Sequence, residues 1–168
     1  PGLTAELLDA GTRKKKKSVI REMLAGRGMS LSFSASGDRT AFSGRCFPED
    51  LPLLLSIISE SLGEANFPEA EVKNAKALAL GELAEEKSDT RAQAERAFAA
   101  MLYDPTHVNY ARALKDEEKS VTATRRAHLQ DFRKKLGKGG LVLAITGDID
   151  TASARTAAVA STGTDATR

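Results

Sequence analysis

Between Met29 and Phe47 the chain alternates with a period of two. Leu31, Phe33 and Ala35 are interleaved with Ser30, Ser32, Ser34 and Ser36, and Thr40, Phe42, Gly44 and Cys46 with Ala41, Ser43, Arg45 and Phe47. Such alternation turns one set of side chains to a core and the other to solvent, and Gly37-Asp38 between the runs is a turn pair, so an antiparallel hairpin is predicted. Elsewhere the apolar spacing is helical. Leu3, Leu7 and Leu8 predict a short helix over 2–10 stopped by Gly11-Thr12. Ser18 is an N-cap for a second helix carrying Val19, Ile20, Met23 and Leu24, which Gly26 and Gly28 end. After Pro48, Glu49-Asp50 open a third, with Leu51, Leu54, Leu55, Ile58 and Leu62 as a continuous stripe up to Gly63. Asn66-Phe67-Pro68-Glu69 starts a fourth that runs to Lys87, and Ser88 or Asp89 caps a fifth bearing Phe98, Met101 and Leu102.

Residues 104–116 have no apolar period and predict the longest loop, after which Thr124 caps a helix with Leu129 and Phe132 that Gly137 to Gly140 end. Leu141 to Ile145 is a short apolar run that predicts a third strand before Gly147-Asp148. Beyond Asp150 the residues are small, and 151–168 is expected to be a frayed low-complexity tail behind a single domain of residues 1–150. A hairpin plus a distant strand, without strict strand–helix alternation, predicts an α+β fold: a mainly antiparallel twisted sheet packed by helices. Three strands are few for this much helix. A further strand ahead of Pro1 is therefore expected, the chain being a fragment with an open sheet edge.

Composition narrows the function classes. With 168 residues and 41% apolar content one sizeable core is expected, and 25 basic against 23 acidic residues leave a net charge of +2, which provides no field for nucleic acid or a membrane surface. No nucleic-acid or membrane partner is expected. The densest charge, Arg13 to Lys17, has no interleaved aromatic and reads as a solvated turn. Cys46 is the single cysteine, which excludes an intrachain disulfide and a thiolate zinc site and reads as a small buried hydrophobe. No apolar run reaches the roughly 20 residues that span a bilayer. A soluble chain is expected, its compartment left open by the composition.

The order of several segments identifies a resemblance. Gly2-Leu3-Thr4-Ala5-Glu6-Leu7-Leu8-Asp9-Ala10-Gly11-Thr12, Gly28-Met29-Ser30-Leu31-Ser32, Asp50-Leu51-Pro52-Leu53-Leu54-Leu55, Asn66-Phe67-Pro68 and Gly147-Asp148-Ile149-Asp150 together resemble the insulinase/pitrilysin metallopeptidases over residues 2–150. Active members carry an inverted zinc motif, His-x-x-Glu-His, on the helix before the Gly-Thr turn, and a distal Glu as third ligand. Two neutral imidazoles and a carboxylate hold an open-coordinate zinc, and the motif Glu takes a proton from the metal-bound water. In the register set by Gly11-Thr12, the first His falls on Gly2, the Glu on Ala5 and the second His on Glu6, so the resemblance implies no catalytic or metal residue in this chain. Glu82, 76 residues after Glu6, stands near the distal-ligand position, where a Glu on a solvated helix face is the ordinary reading.

The resemblance further implies an inactive domain that shapes a peptide chamber. Its expected partners are a catalytic homologous half or subunit, which would hold the zinc, and a peptide substrate; an assembly domain without peptide binding is the alternative. The serines of the first strand are either a polar sheet face or a chamber wall. Ser32 and Ser34, with Arg39 and Arg45 flanking the hairpin, are the candidate peptide-binding residues, and surface ion pairing is the ordinary role for the arginines. His107 and His128 sit at no ligand spacing, and Asp148 and Asp150 read as turn residues that satisfy backbone donors.

Overall fold

The computed structural model describes residues 2–36, 39–136 and 140–162. Eight helices and two strands are present among them: α1 (Gly2–Glu6), α2 (Lys17–Ala25), β1 (Ser30–Ser36), β2 (Arg39–Arg45), α3 (Leu51–Glu64), α4 (Glu69–Glu86), α5 (Thr90–Leu102), α6 (Leu114–Ala123), α7 (Arg126–Arg133) and α8 (Thr151–Thr162). The strands pair antiparallel, with Ser30 opposite Arg45, Phe33 opposite Phe42 and Ser36 opposite Arg39. The predicted turn at Gly37-Asp38 lies outside the described residues, as do Gly137 to Lys138 and Gly139 beyond α7.

Register decides the faces. Leu31, Phe33, Phe42 and Gly44 fall on one side, where the Phe33 and Phe42 rings stand 6.4 Å apart and tilted. That side bridges two cores. Leu31 and Phe42 pack with Ile20, Leu24 and Met29 and with the α3 stripe Leu51, Leu54, Leu55, Ile57 and Ile58. Phe33 packs with Leu7 and Leu8 after α1, with Phe67 and Val72 at the head of α4, and with Leu129 of α7. The fold is α+β, a small antiparallel sheet covered by helices.

Four expectations are corrected. First, Leu141 to Ile145 forms no strand. Leu143, Ile145 and Ile149 pack against the first core, but the segment lies across a recess from β2 and is held by burial without ladder bonds. Second, residues 151–162 are no frayed tail: they form α8, which packs on α3 and buries Ala157. Asp150 starts it, its carboxylate accepting from Ser153 N at 2.9 Å and its carbonyl from Ala154 N at 3.1 Å. The small side chains that suggested fraying instead permit close approach to α3.

Third, the long loop is interrupted by α6, and Thr124 ends that helix where it had been expected to open the next. α6 buries no residue and so leaves no apolar period; polar contacts hold it. Arg96 bridges Glu86 of α4 at 2.7 Å and Glu117 of α6 at 3.1 Å, and Lys76 Nζ donates to the carbonyls of Thr122 and Thr124 at 2.6 and 2.9 Å. Fourth, α1 stops at Glu6, and α2 begins at Lys17 with Lys16 at its N-cap rather than Ser18. Leu7, Leu8 and Ala10 continue past α1 in tight turns that bond three residues back, at 3.2 to 3.3 Å.

Candidate functional site

The turn after α1 and the entry to α4 are tied together. Gly11 has φ +135, a conformation suited to glycine, and a Cβ there would approach Asn66 Oδ1 to 3.3 Å. Asn66 N donates to Gly11 O at 3.1 Å, Asn66 Nδ2 to Thr12 O at 2.7 Å, and Arg126 Nε to Asn66 O at 2.8 Å. The Gly-Thr and Asn-Phe-Pro segments of the sequence are thus one structural unit that fixes α1 against α4 and α7. Phe67, fully buried beside it, has φ +49, unusual for a residue with a side chain.

The basic run belongs to the same unit. Thr12 Oγ1 accepts from Lys15 N at 2.9 Å and donates to Glu60, which also pairs with the Lys15 ammonium. Lys14 pairs with Glu64 at 2.7 Å, and Lys17 with Glu71. The run is a surface turn, with Arg13, Lys14 and Lys16 exposed, and three of its lysines pair with carboxylates of α3 and α4. Burial pushes the Glu60 carboxyl up, but hydrogen bonds from Lys15 and Thr12 and the charges of Lys15 and Lys14 outweigh it and hold it below the usual range.

Gly2, Ala5 and Glu6 all lie on α1, and Glu82 projects from α4 into the same recess of about 730 Å³ as Gly2 and Glu6. Partial desolvation, and then the charge of Glu82, raises the Glu6 carboxyl above its ordinary value. Gly2 and Glu6 thus share a recess with Glu82, which stands 76 residues beyond Glu6 in the sequence, while Ala5 is buried and does not line it. Their donor set does not fit the family's zinc. Gly2 presents no side chain, Ala5 a buried methyl, and only Glu6 and Glu82 present oxygens. Among the described residues no group of three His, Cys, Asp or Glu side chains could hold a metal ion. His128 lines the recess, but its Nδ1 accepts from Arg125 N at 3.3 Å at the start of α7. His107 is stacked on Tyr103 at 4.5 Å and accepts from Asn109 N at 3.1 Å, which shapes the loop after α5.

The other candidates lie on the hairpin. Opposed pairs share a face, so Ser32, Ser34, Arg39 and Arg45 occupy one exposed side of the sheet, with the arginines at opposite ends of β2. Ser32 Oγ donates to Ser43 O at 3.4 Å across the ladder. The face is polar and basic, and its hydroxyls and guanidinium groups could receive backbone carbonyls or carboxylates. Asp150 caps α8, in keeping with a turn residue. Cys46 is half-buried against the first core, where burial, and then Asp50, raises its thiol. Glu60 and Arg96 carry no signal in the sequence, because each acts through a partner 10 or more residues away.

The fold superposes on the crystal structure of a peptidase M16 inactive domain from Pseudomonas fluorescens with a TM-score of 0.68. The match has 24% sequence identity and covers 78% of this chain and 32% of that one, so this chain spans about a third of the matched structure and the likeness is one of fold. No curated protein matches. Residues 3–115 match the profile of insulinase, peptidase family M16, a span that takes in α1, the hairpin and helices α3 to α5. On that match the chain belongs to the insulinase family of peptidases.

Proposed function

We propose that the chain is a non-catalytic domain of this family that pairs with a catalytic half carrying His-x-x-Glu-His and contributes a wall of the peptide chamber. One observation carries the reading. Gly2 and Glu6 of α1 share one recess with Glu82 of α4, and Gly2 and Ala5 carry neither a metal ligand nor a base. The exposed face of the hairpin supplies the wall: Arg39 and Arg45 grip substrate carbonyls or carboxylates, and Ser32 and Ser34 donate between them. Zinc resides in the catalytic half. None of the helices among the described residues is long and apolar enough to cross a membrane.

The test is reconstitution. The purified chain is expected to contain no stoichiometric zinc and to leave a quenched fluorescent peptide intact; adding it to the catalytic half should raise turnover. Replacing Arg39 and Arg45 together by Ala should then raise KM severalfold at unchanged kcat, the loss of ground-state and transition-state binding alike. Full turnover by the catalytic half alone would overturn the proposal.

A second reading, an assembly domain that binds no peptide, draws on α5. That helix buries none of its residues, and Phe98, Met101 and Leu102 are exposed on it. A peptide-library screen separates the two: saturable binding that needs the hairpin arginines supports the chamber, and a stable partner complex without peptide binding supports assembly.

A further inference from the structure

α5 is amphipathic with its faces reversed. Ala92, Arg96, Ala99, Ala100 and Tyr103 recur at helical spacing and form its half-buried side, which the Arg96 guanidinium holds to Glu86 of α4 and Glu117 of α6. On the opposite side stand Ala94, Ala97, Phe98, Met101 and Leu102, all exposed, with Phe98 at 66%, Met101 at 88% and Leu102 at 58%. The bulk of the helix thus points away from the chain's own cores. This outer stripe is graded in size: its first turn offers the methyls of Ala94 and Ala97, its last the long side chains of Phe98 and Met101. Charge is graded with it. Arg91 opens the stripe, its guanidinium pairing along the helix with exposed Glu95 at 2.8 Å, and Asp104 follows its end. The Asp104 carboxylate accepts from Thr106 N at 2.9 Å and Thr106 Oγ1 at 2.7 Å, both on Oδ1, which leaves Oδ2 to take a further donor.

We infer that this face pairs with α5 of a second copy of the chain, the two helices running antiparallel about a dyad between Ala97 and Phe98. The register follows from the grading. In it Ala97 lies opposite the second copy's Phe98, Ala94 opposite its Met101 and Arg91 opposite its Asp104. Each large side chain then meets a methyl, and each end of the pair closes on opposite charges. A parallel pair would set Phe98 on Phe98 and Ala94 on Ala94, crowding one end and opening a void at the other, and would bring Arg91 against Arg91. A surface that complements itself only when reversed is that of a two-fold contact between identical chains. Two three-turn helices cover less than about 1,200 Å² in all, the size of weak, reversible contacts, so a dissociation constant on the order of 10 μM is expected. The inference rests on the assembly reading of α5 and names its partner; the hairpin face of the chamber reading takes no part in it.

Sedimentation velocity of the intact chain from about 1 to about 200 μM should show a reversible monomer–dimer exchange. Phe98→Glu should weaken it at least about tenfold, with an unchanged far-UV circular dichroism spectrum because α5 buries none of its residues. The register is read by oxidation in a Cys46→Ala background. Chains carrying Ala94→Cys and chains carrying Met101→Cys should cross-link to one another when mixed. Neither should cross-link to itself, since each new thiol then stands about 10 Å along the axis from its equivalent, beyond the roughly 7 Å between Cα atoms that a disulfide tolerates. Self-cross-linking of the Ala94→Cys chain, a dimer indifferent to Phe98→Glu, or a monomer at every concentration would overturn the inference. If the chain is monomeric alone while Phe98→Glu loosens its complex with the catalytic half, α5 stays an assembly face and the second copy is the wrong occupant. Loss of self-association leaves the peptide screen and the reconstitution unaffected, so the failures are distinguishable.

Discussion

Phe67 combines a side chain with no exposure and a backbone φ of +49, and the two features make opposite demands on its replacement. Truncation to Ala removes a ring packed among Leu8, Val72 and Leu129, a loss of about 3–5 kcal/mol for a buried Phe. Ala retains a Cβ and with it the left-handed penalty of about 1–2 kcal/mol. Gly removes that penalty, but it forgoes a buried methyl worth about 0.8 kcal/mol and adds about 0.5–1 kcal/mol of backbone entropy loss. The opposing terms nearly cancel. Phe67→Ala and Phe67→Gly should therefore be destabilised to within about 0.8 kcal/mol of one another, whereas at a relaxed buried site Gly would be worse by about 1.3–1.8 kcal/mol. Urea denaturation followed by far-UV circular dichroism, with equal m-values required of all three proteins, measures the gap. A Gly variant weaker than the Ala variant by more than about 1.3 kcal/mol would show that the backbone there is relaxed. A loss under about 2 kcal/mol in both would remove Phe67 from the core.

Glu60→Gln should cost about 1–2 kcal/mol at neutral pH, because Glu60 has a side chain only 12% exposed and accepts from Lys15 and Thr12. Its folded pKa lies below the unfolded value of about 4.3, so the contribution is present above that pH and disappears as pH falls through the folded value; the stability gap between wild type and Glu60→Gln should close on acidification, and a gap independent of pH would refute the linkage. The register of α1 is tested by grafting. Gly2→His with Glu6→His should create a site that binds about one zinc together with Glu82, and adding Glu82→Gln should weaken binding by at least about tenfold in calorimetric titration. Zinc binding indifferent to Glu82 would mean that these positions do not face one another.

The alternation from Ser30 to Arg45 and the apolar stripe of α3 are local patterns, and the sequence alone determined them. So did family membership, since the order of short motifs survives wherever the fold is kept. What the tertiary structure decided depends on partners distant in the chain. The tail became α8 because α3 offered a face to which Ala157 could approach closely, a contact invisible in small residues read alone. α6 formed through Arg96 and Lys76, charged groups that carry no periodicity. Leu141 to Ile145 has the apolarity of a strand, but a strand exists only where a second backbone meets it, and among the described residues none does. Gly11 and Asn66 likewise read as separate punctuation until folding brings them within hydrogen-bond reach, where they tie the turn after α1 to the entry of α4.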